Sequence, residues 1–338
     1  MNRRKALALA GAVAVAGAAA LVTKRVRGGK GPRRPAGVPV GPFGAESTAE
    51  QVTAGLDLDG RVALVTGVTS GLGAETLRVL TMRGAHVLGT GRTLDKAAAA
   101  CAAAGNRATP LALELTDFGS VVACAEAVRR QGAAIDMLVC NAGIMALPKL
   151  EQVDGLEKHF VTNHLGHFLL VNRLLDRVVA AAGGRVVVLS SRGYLWAPPG
   201  GIEFDNLSGE RGEYDANRAY GQSKLANGLF SLELARRLAG TNATSNSVHP
   251  GIIRTRLGRH FPGWKKSLGK LIGWTFMKSI PAGAATQCYV ATSPRLAGVS
   301  GRYFANCNPE VPGGHMEDVA LAAKLWSVSE ELTRPWLT

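Results

Sequence analysis

The chain has 338 residues, of which 46% are hydrophobic and 19% charged. That is enough apolar material for one large α/β domain, and it excludes a wholly disordered chain. The formal net charge of +14 is concentrated at one end: residues 1–34 hold nine Lys and Arg and no acid, leaving 30 basic against 25 acidic residues elsewhere. The excess belongs to a tail, so no nucleic-acid partner is expected. Cys101, Cys124, Cys140, Cys288 and Cys307 form no CxxC pair and are odd in number. Neither a disulfide framework nor a metal site is expected from them.

Ala6 to Thr23 is a nearly unbroken apolar run between two basic clusters. As a helix it would be about 27 Å long, just short of a hydrocarbon core of ~30 Å. The downstream cluster, Lys24 to Arg34, is the heavier one. A membrane anchor would therefore leave the body in the cytoplasm. Arg3-Arg4 and the later Ala18-Ala19-Ala20 keep a cleaved twin-arginine-type export signal open, and a loosely associated or organelle-targeting tail is the third reading. The division read from this pattern is 1–27 as anchor or signal, 28–57 as a Gly/Pro-rich basic linker, and 58–338 as the domain.

From Leu58 onward, apolar β-branched runs alternate with helical patterns. Strands are expected at 61–66, 85–90, 108–115, 135–140, 185–190, 243–249 and 301–304. Helices are expected after the glycines that follow the first strand, through Arg83, and at 95–104, 118–131, 156–182, 216–239 and 281–292. Strands apolar on both faces, separated by helices, predict a parallel doubly wound sheet covered on both sides.

The chemistry-bearing residues fall at the strand ends. Thr66-Gly67-Val68-Thr69-Ser70-Gly71-Leu72-Gly73 joins the first strand to a helix. Such a turn lets a pyrophosphate approach the backbone and the free N–H groups of the helix. The second strand ends Thr90-Gly91-Arg92, without the acid that would hold the ribose 2′-hydroxyl of NAD. Arg92 can instead pair with a 2′-phosphate. Tyr220 and Lys224 lie one helical turn apart on a shared face, so an ammonium can lower the pKa of a phenol that would otherwise titrate near ~10.

Thr-Gly-x-x-x-Gly-x-Gly, Asn141-Ala142-Gly143, Asn163, Ser191, Tyr220-x-x-x-Lys224 and Pro250-Gly251, in this order at successive elements, resemble the short-chain dehydrogenase/reductase family. Asn163-His164-Leu165-Gly166-His167-Phe168, Tyr220 to Asn227 and His249 to Thr255 resemble its retinol dehydrogenase-like branch. The resemblance covers about residues 58–338. It implies a single-domain Rossmann-type fold preceded by an apolar helix, and hydride transfer between NADP(H), favoured here over NAD(H), and an apolar alcohol or carbonyl of retinoid, steroid or lipid aldehyde type. It implies Tyr220 as proton donor or acceptor, Ser191 (with Ser190 as the alternative) holding the substrate oxygen, and Lys224 on the nicotinamide ribose. It makes Asn163 the residue that bends its helix and positions a water near Lys224. It assigns Gly67, Ser70, Gly71, Leu72, Gly73, Asn141, Ala142, Gly143, Pro250, Gly251, Ile252 and Thr255 to the cofactor. Asp117 is an adenine contact, a helix cap, or both. An idle NADP-binding sensor or scaffold is the rival reading.

Three further stretches stay open. His159, His164 and His167 share a helical pattern without a ligand set, so packing competes with a metal. Arg254–Lys278 is basic and amphipathic, either a substrate lid resting on a membrane or a solvated flap. Tyr194, Leu195 and Trp196, in the long stretch between Ser191 and Tyr220, either wall the substrate or pack their loop. Oligomerisation is possible.

Overall fold

In the computed structural model, residues 32–145, 147–253 and 277–337 are described. The apolar run at 6–23, Thr255 and most of the basic stretch after Arg254 lie outside them. Val38–Thr338 forms the folded unit discussed below. Among the described residues no helix is long and apolar enough to cross a membrane.

Eight strands form the central sheet: β1 (Val62–Val65), β2 (His86–Gly91), β3 (Ala108–Ala112), β4 (Met137–Cys140), β7 (Arg185–Leu189), β8 (Thr244–His249), β9 (Tyr303–Ala305) and β10 (Asn308–Glu310), in the order β10-β9-β8-β7-β4-β1-β2-β3. All pairings are parallel except β9–β10. The chain starts at β1 and winds out to β3, then returns across β1 to β4 and winds the other way. That reversal puts a crevice between the carboxyl ends of β1 and β4. A separate two-stranded hairpin, β5 (Gln152–Val153) and β6 (Leu156–Glu157), turns on Asp154 and Gly155, both at positive φ.

Helices cover both faces because the central strands β1 and β4 are apolar on both. One core joins β1, β2 and β8 to α2 (Gly71–Met82) and α7 (Ile280–Thr292), through Leu77, Leu80, Val87, Cys288 and Tyr289. Ala49 and Val52 of the short helix α1 (Ala49–Val52) enter the same core, so the end of the stretch read as a linker is folded onto the body. The other core lies under α4 (Phe118–Arg130), α5 (Gly166–Val179), α6 (Ala216–Arg237) and a C-terminal helix, α8 (Val319–Leu337). On this face Trp326 meets Phe168 edge-on at 5.0 Å and stacks on Phe230 at 5.7 Å. α3 (Leu94–Ala104) closes the β2–β3 crossover.

Candidate active site

The turn after β1 is built from below by β4. Thr66 Oγ1 accepts the backbone amides of Asn141 and Ala142, both at 2.9 Å, and the Asn141 side-chain amide donates to the Thr66 carbonyl at 2.8 Å. Gln287 of α7 donates to Asn141 Oδ1 at 3.2 Å, so a helix on one face of the sheet orients the Asn. Gly67 has φ +73°, a region that strains other residues. A Cβ on Gly73 would run into the Gly67 carbonyl and lie 2.6 Å from Asn141 Nδ2, so only glycine lets the helix start this close to the strand. The side chains of Thr93, Asp117, Asp215 and Ser279 cap α3, α4, α6 and α7. Ser70, which begins α2, makes no such bond. The first turn of α2, with Gly71 and the buried Leu72, therefore keeps its amides open for an anion.

At the end of β2, a Cβ on Gly91 would stand 2.8 Å from Thr69 Cγ2 and 3.1 Å from the Ala97 amide. No acidic side chain fits there without displacing backbone. Arg92 is exposed beside it and has no ion-pair partner among the described residues. Asp117 Oδ1 accepts the Ser120 amide at 3.1 Å, so at least the capping half of its two readings is present. Pro250, Gly251 and Ile252 follow β8. Gly251 has φ +101°, and Ile252, 66% exposed, accepts the Lys278 amide through its carbonyl at 2.8 Å.

The ends of β4 and β7 bring the remaining residues together. A Cβ on Gly143 would lie 2.9 Å from Asn163 Oδ1 and 3.5 Å from Lys224 Nζ. Asn163 sits in a π turn, Val161–Leu165. Its side chain clamps Ile144, accepting that amide at 2.8 Å and donating to its carbonyl at 3.0 Å, and it also donates to Ser223 Oγ of α6 at 2.9 Å. Ser190 and Ser191 part company: Ser190 Oγ donates to the Lys224 carbonyl at 2.7 Å, whereas the Ser191 hydroxyl bonds the Tyr220 phenol and accepts the Gly193 amide at 3.1 Å. Lys224 Nζ donates to the Leu189 carbonyl at 2.8 Å and lies 5.9 Å from the centre of the Tyr220 ring. Burial pushes the Lys224 ammonium down to about 7 and the Tyr220 phenol up, with the Ser191 hydrogen bond opposing the latter. A hydroxyl, a phenol and a weakly held ammonium proton thus converge at one crevice, a set able to hold an oxygen and exchange a proton with it.

The segment after Ser191 divides by residue. Arg192–Trp196 is a 3-10 helix laid on α6, where Gly193 and Gly221 allow the approach: a Cβ on Gly193 would touch the Tyr220 ring at 2.7 Å. Tyr194 is structural. It is buried edge-on against Tyr303 at 5.8 Å, and its hydroxyl accepts the Gly313 amide at 2.8 Å. Leu195 (59%) and Trp196 (49%) stay exposed, with the Trp196 ring 6.3 Å from that of Tyr220.

The three histidines go separate ways. His159 Nδ1 bonds Glu157 at 2.6 Å, His164 Nε2 bonds Ser329 Oγ at 2.7 Å, and His167 Nε2 bonds Thr66 Oγ1 at 2.9 Å. Among the described residues no group of three or more metal-ligating side chains is assembled. Sequence reasoning missed the Glu157–His159 pair, whose ring stands 6.2 Å from Tyr220. Asp154-Gly155 between Val153 and Leu156 is the hairpin signal that leads to it.

The sequence profile of the short chain dehydrogenase family matches residues 61–201. The protein of Brassica napus named Short-chain dehydrogenase TIC 32 B, chloroplastic, is 42% identical over 302 residues, covering 86% of this chain and 94% of that protein. Retinol dehydrogenase 14 of Homo sapiens is 40% identical over 293 residues, covering 81% and 86%. The crystal structure of an uncharacterized protein from Mycobacterium Paratuberculosis superposes with a TM-score of 0.67 at 33% identity, over 84% of this chain and 97% of that one. Family, fold and crevice agree: the chain belongs to the short-chain dehydrogenase/reductase family, oxidoreductases that act on CH–OH or C=O groups with a nicotinamide dinucleotide, in its retinol dehydrogenase-like branch.

Proposed function

We propose that this protein uses NADP(H) to interconvert an apolar alcohol and its carbonyl. The observation that carries the reading is the Tyr220 phenol, clasped by the Ser191 hydroxyl with the Lys224 ammonium behind it. When bound, the dinucleotide supplies or takes the hydride. Ser191 holds the substrate oxygen and stabilises charge that develops on it. Tyr220 gives that oxygen a proton in reduction and removes one in oxidation. Lys224 favours the phenolate electrostatically, and an anionic phenolate would in turn raise the Lys224 pKa from about 7. Asn163 holds Ile144 and α6 in register around them. The open turn at Gly67–Gly73, Asn141-Ala142-Gly143 and Ile252 would hold the dinucleotide. The NADP preference rests on Gly91, which leaves no room for an acid, and on the exposed Arg92 beside it, without an ion-pair partner among the described residues. The apolar substrate class rests on Trp196, exposed with its ring 6.3 Å from that of Tyr220, and on the exposed Leu195 that precedes it.

The test is oxidation of NADPH and of NADH by the protein with short and long aldehydes and ketones, repeated with Arg92→Ala. NADPH should be preferred. Arg92→Ala should weaken NADPH binding by ~10–100-fold, the loss of one charge-assisted pair, while NADH binding changes little. Equal loss for both dinucleotides removes Arg92 from the 2′-phosphate. Binding of NADPH without consumption on any substrate favours the sensor or scaffold reading.

A further inference from the structure

His167 lies between the two halves of the crevice and belongs to neither set of residues assigned above. It is fully buried, four residues past Asn163 on the same helix. Nδ1 faces the Asn163 carbonyl at 3.1 Å, and Nε2 faces Thr66 Oγ1 at 2.9 Å. A carbonyl only accepts, so Nδ1 carries the hydrogen. Burial pushes the imidazolium down to about 4, so the ring is neutral near pH 7 and Nε2 is a bare acceptor. The Thr66 hydroxyl must then donate to Nε2, leaving its oxygen free to accept the Asn141 and Ala142 amides at 2.9 Å. The alternative acceptor for that hydroxyl, the Val139 carbonyl, is farther away at 3.4 Å. Each hydrogen bond in this relay then has one direction, with Thr66 Oγ1 accepting two amides and donating to one ring nitrogen. At the far end, the Gly166 amide reaches back five residues to the Val161 carbonyl, so Asn163 sits where the helix is widened by one residue.

We propose that His167 is a positioning residue whose two ring nitrogens serve different ends of the site: Nε2 fixes the dinucleotide turn through Thr66, and Nδ1 fixes the Asn163 backbone beside Lys224. The proposal rests on the assignment of that turn to the cofactor and of Asn163 to the proton-transfer end. A histidine that merely filled space would have no reason to divide its effects between the two.

The imidazole can be taken apart by substitution. Asn places an amide nitrogen near the position of Nδ1, and Gln places an amide oxygen near that of Nε2. Nucleotide affinity is read by NADPH fluorescence without turnover, kcat by NADPH consumption, and folding by Tm. His167→Asn should raise the Kd for NADPH by about tenfold, the scale of one hydrogen bond, with kcat within about threefold of wild type. His167→Gln should do the reverse, and His167→Leu should lose both. If all three variants change Kd and kcat by the same factor, or if His167→Leu leaves both unchanged, the proposal is overturned. Should the Leu variant fail to fold, Thr66→Val provides the same test from the other partner. Adding His167→Asn to it should cost no further Kd, because the bond is already gone, and additive losses overturn the proposal. Wild-type protein that binds no nicotinamide dinucleotide overturns the cofactor assignment itself, and the Nε2 role with it.

Discussion

The Tyr220 proton is under opposing pressures. Burial holds it on the phenol, while the Ser191 hydroxyl and the nearby Lys224 ammonium favour its departure. Tyr220→Phe removes the proton and little else, since the ring keeps its contacts with Trp196 and His159. Turnover should fall by ~10²–10⁴-fold, the usual contribution of a positioned acid or base, while the Kd for NADPH stays within about threefold. A variant that keeps more than about a tenth of the wild-type rate would show that another group moves the proton. At this scale the sequence was informative about residue types and silent about direction. Ser190 and Ser191 are the same residue twice, and both meet α6: one hydroxyl goes to the Lys224 carbonyl and the other, one turn earlier on that helix, to the Tyr220 phenol. The same limit hid His167, whose Nε2 partner, Thr66, lies at the end of a strand about a hundred residues earlier.

Among the elements, those whose burial pattern matches their period were legible. Val62–Val65 and Met137–Cys140 are apolar without interruption, as is Arg185–Leu189 after its first residue, and they read as strands of a parallel sheet. Where an element breaks its period, it escaped. The run read as one helix over 156–182 begins with the edge strand β6 and contains a π turn, and an extra residue in one turn is invisible to a pattern of spacing. α8 buries Ser329 and Thr333 along with Leu325 and Trp326, which blunts its apolar stripe. α1 was announced by Thr48 and Gln51, a capping box in which each side chain bonds the other's backbone amide, but the surrounding Gly and Pro suggested a linker. The 3-10 helix Arg192–Trp196 has one structural face, Tyr194, and one exposed face, Leu195 and Trp196. Trp196→Ala should therefore raise KM for a long apolar aldehyde several-fold and leave kcat and the KM of a short aldehyde nearly unchanged, as loss of uniform binding surface requires. Steady-state kinetics on the two substrates checks this, and an equal fall in kcat for both would make the segment scaffolding.

At the scale of the whole molecule, buried titratable groups set a stability window. Burial pushes His164 and His249 down to about 3 and His167 to about 4. Between those values and 6.5 the unfolded chain binds protons that the native one refuses, so stability falls as pH drops through this range, by on the order of 3 kcal/mol per histidine at the acid end. The thiols act at the other limit. Cys124 and Cys288 are pushed up to about 12, Cys307 to about 11, and Cys140 higher still. Above pH ~9 the unfolded thiols ionise and the native ones do not, so stability falls again. Lys224, lowered to about 7, and Lys278, also lowered by burial, work the other way below about 10.5, but they are two groups against these four thiols. The urea midpoint should be highest between about pH 7 and 9 and should fall steeply toward pH 4. A midpoint unchanged between pH 7 and 4 would mean that these histidines are charged in the native state.

α8 leaves the ribosome only after every strand of the sheet has done so. Until Trp326 arrives, Phe168 and Phe230 have no cover on that side, and Arg237, which ends 4.1 Å above the Trp326 ring, has nothing to lie on. The nascent protein thus carries a bare aromatic face until α8 emerges, the state in which unfinished chains stick to one another. A stop codon in place of Val319 would make that state permanent: every strand and all of Ser191, Tyr220 and Lys224 would be present, yet the product should collect in the insoluble fraction. A soluble, monomeric truncated chain would show that the helix is dispensable to the finished fold.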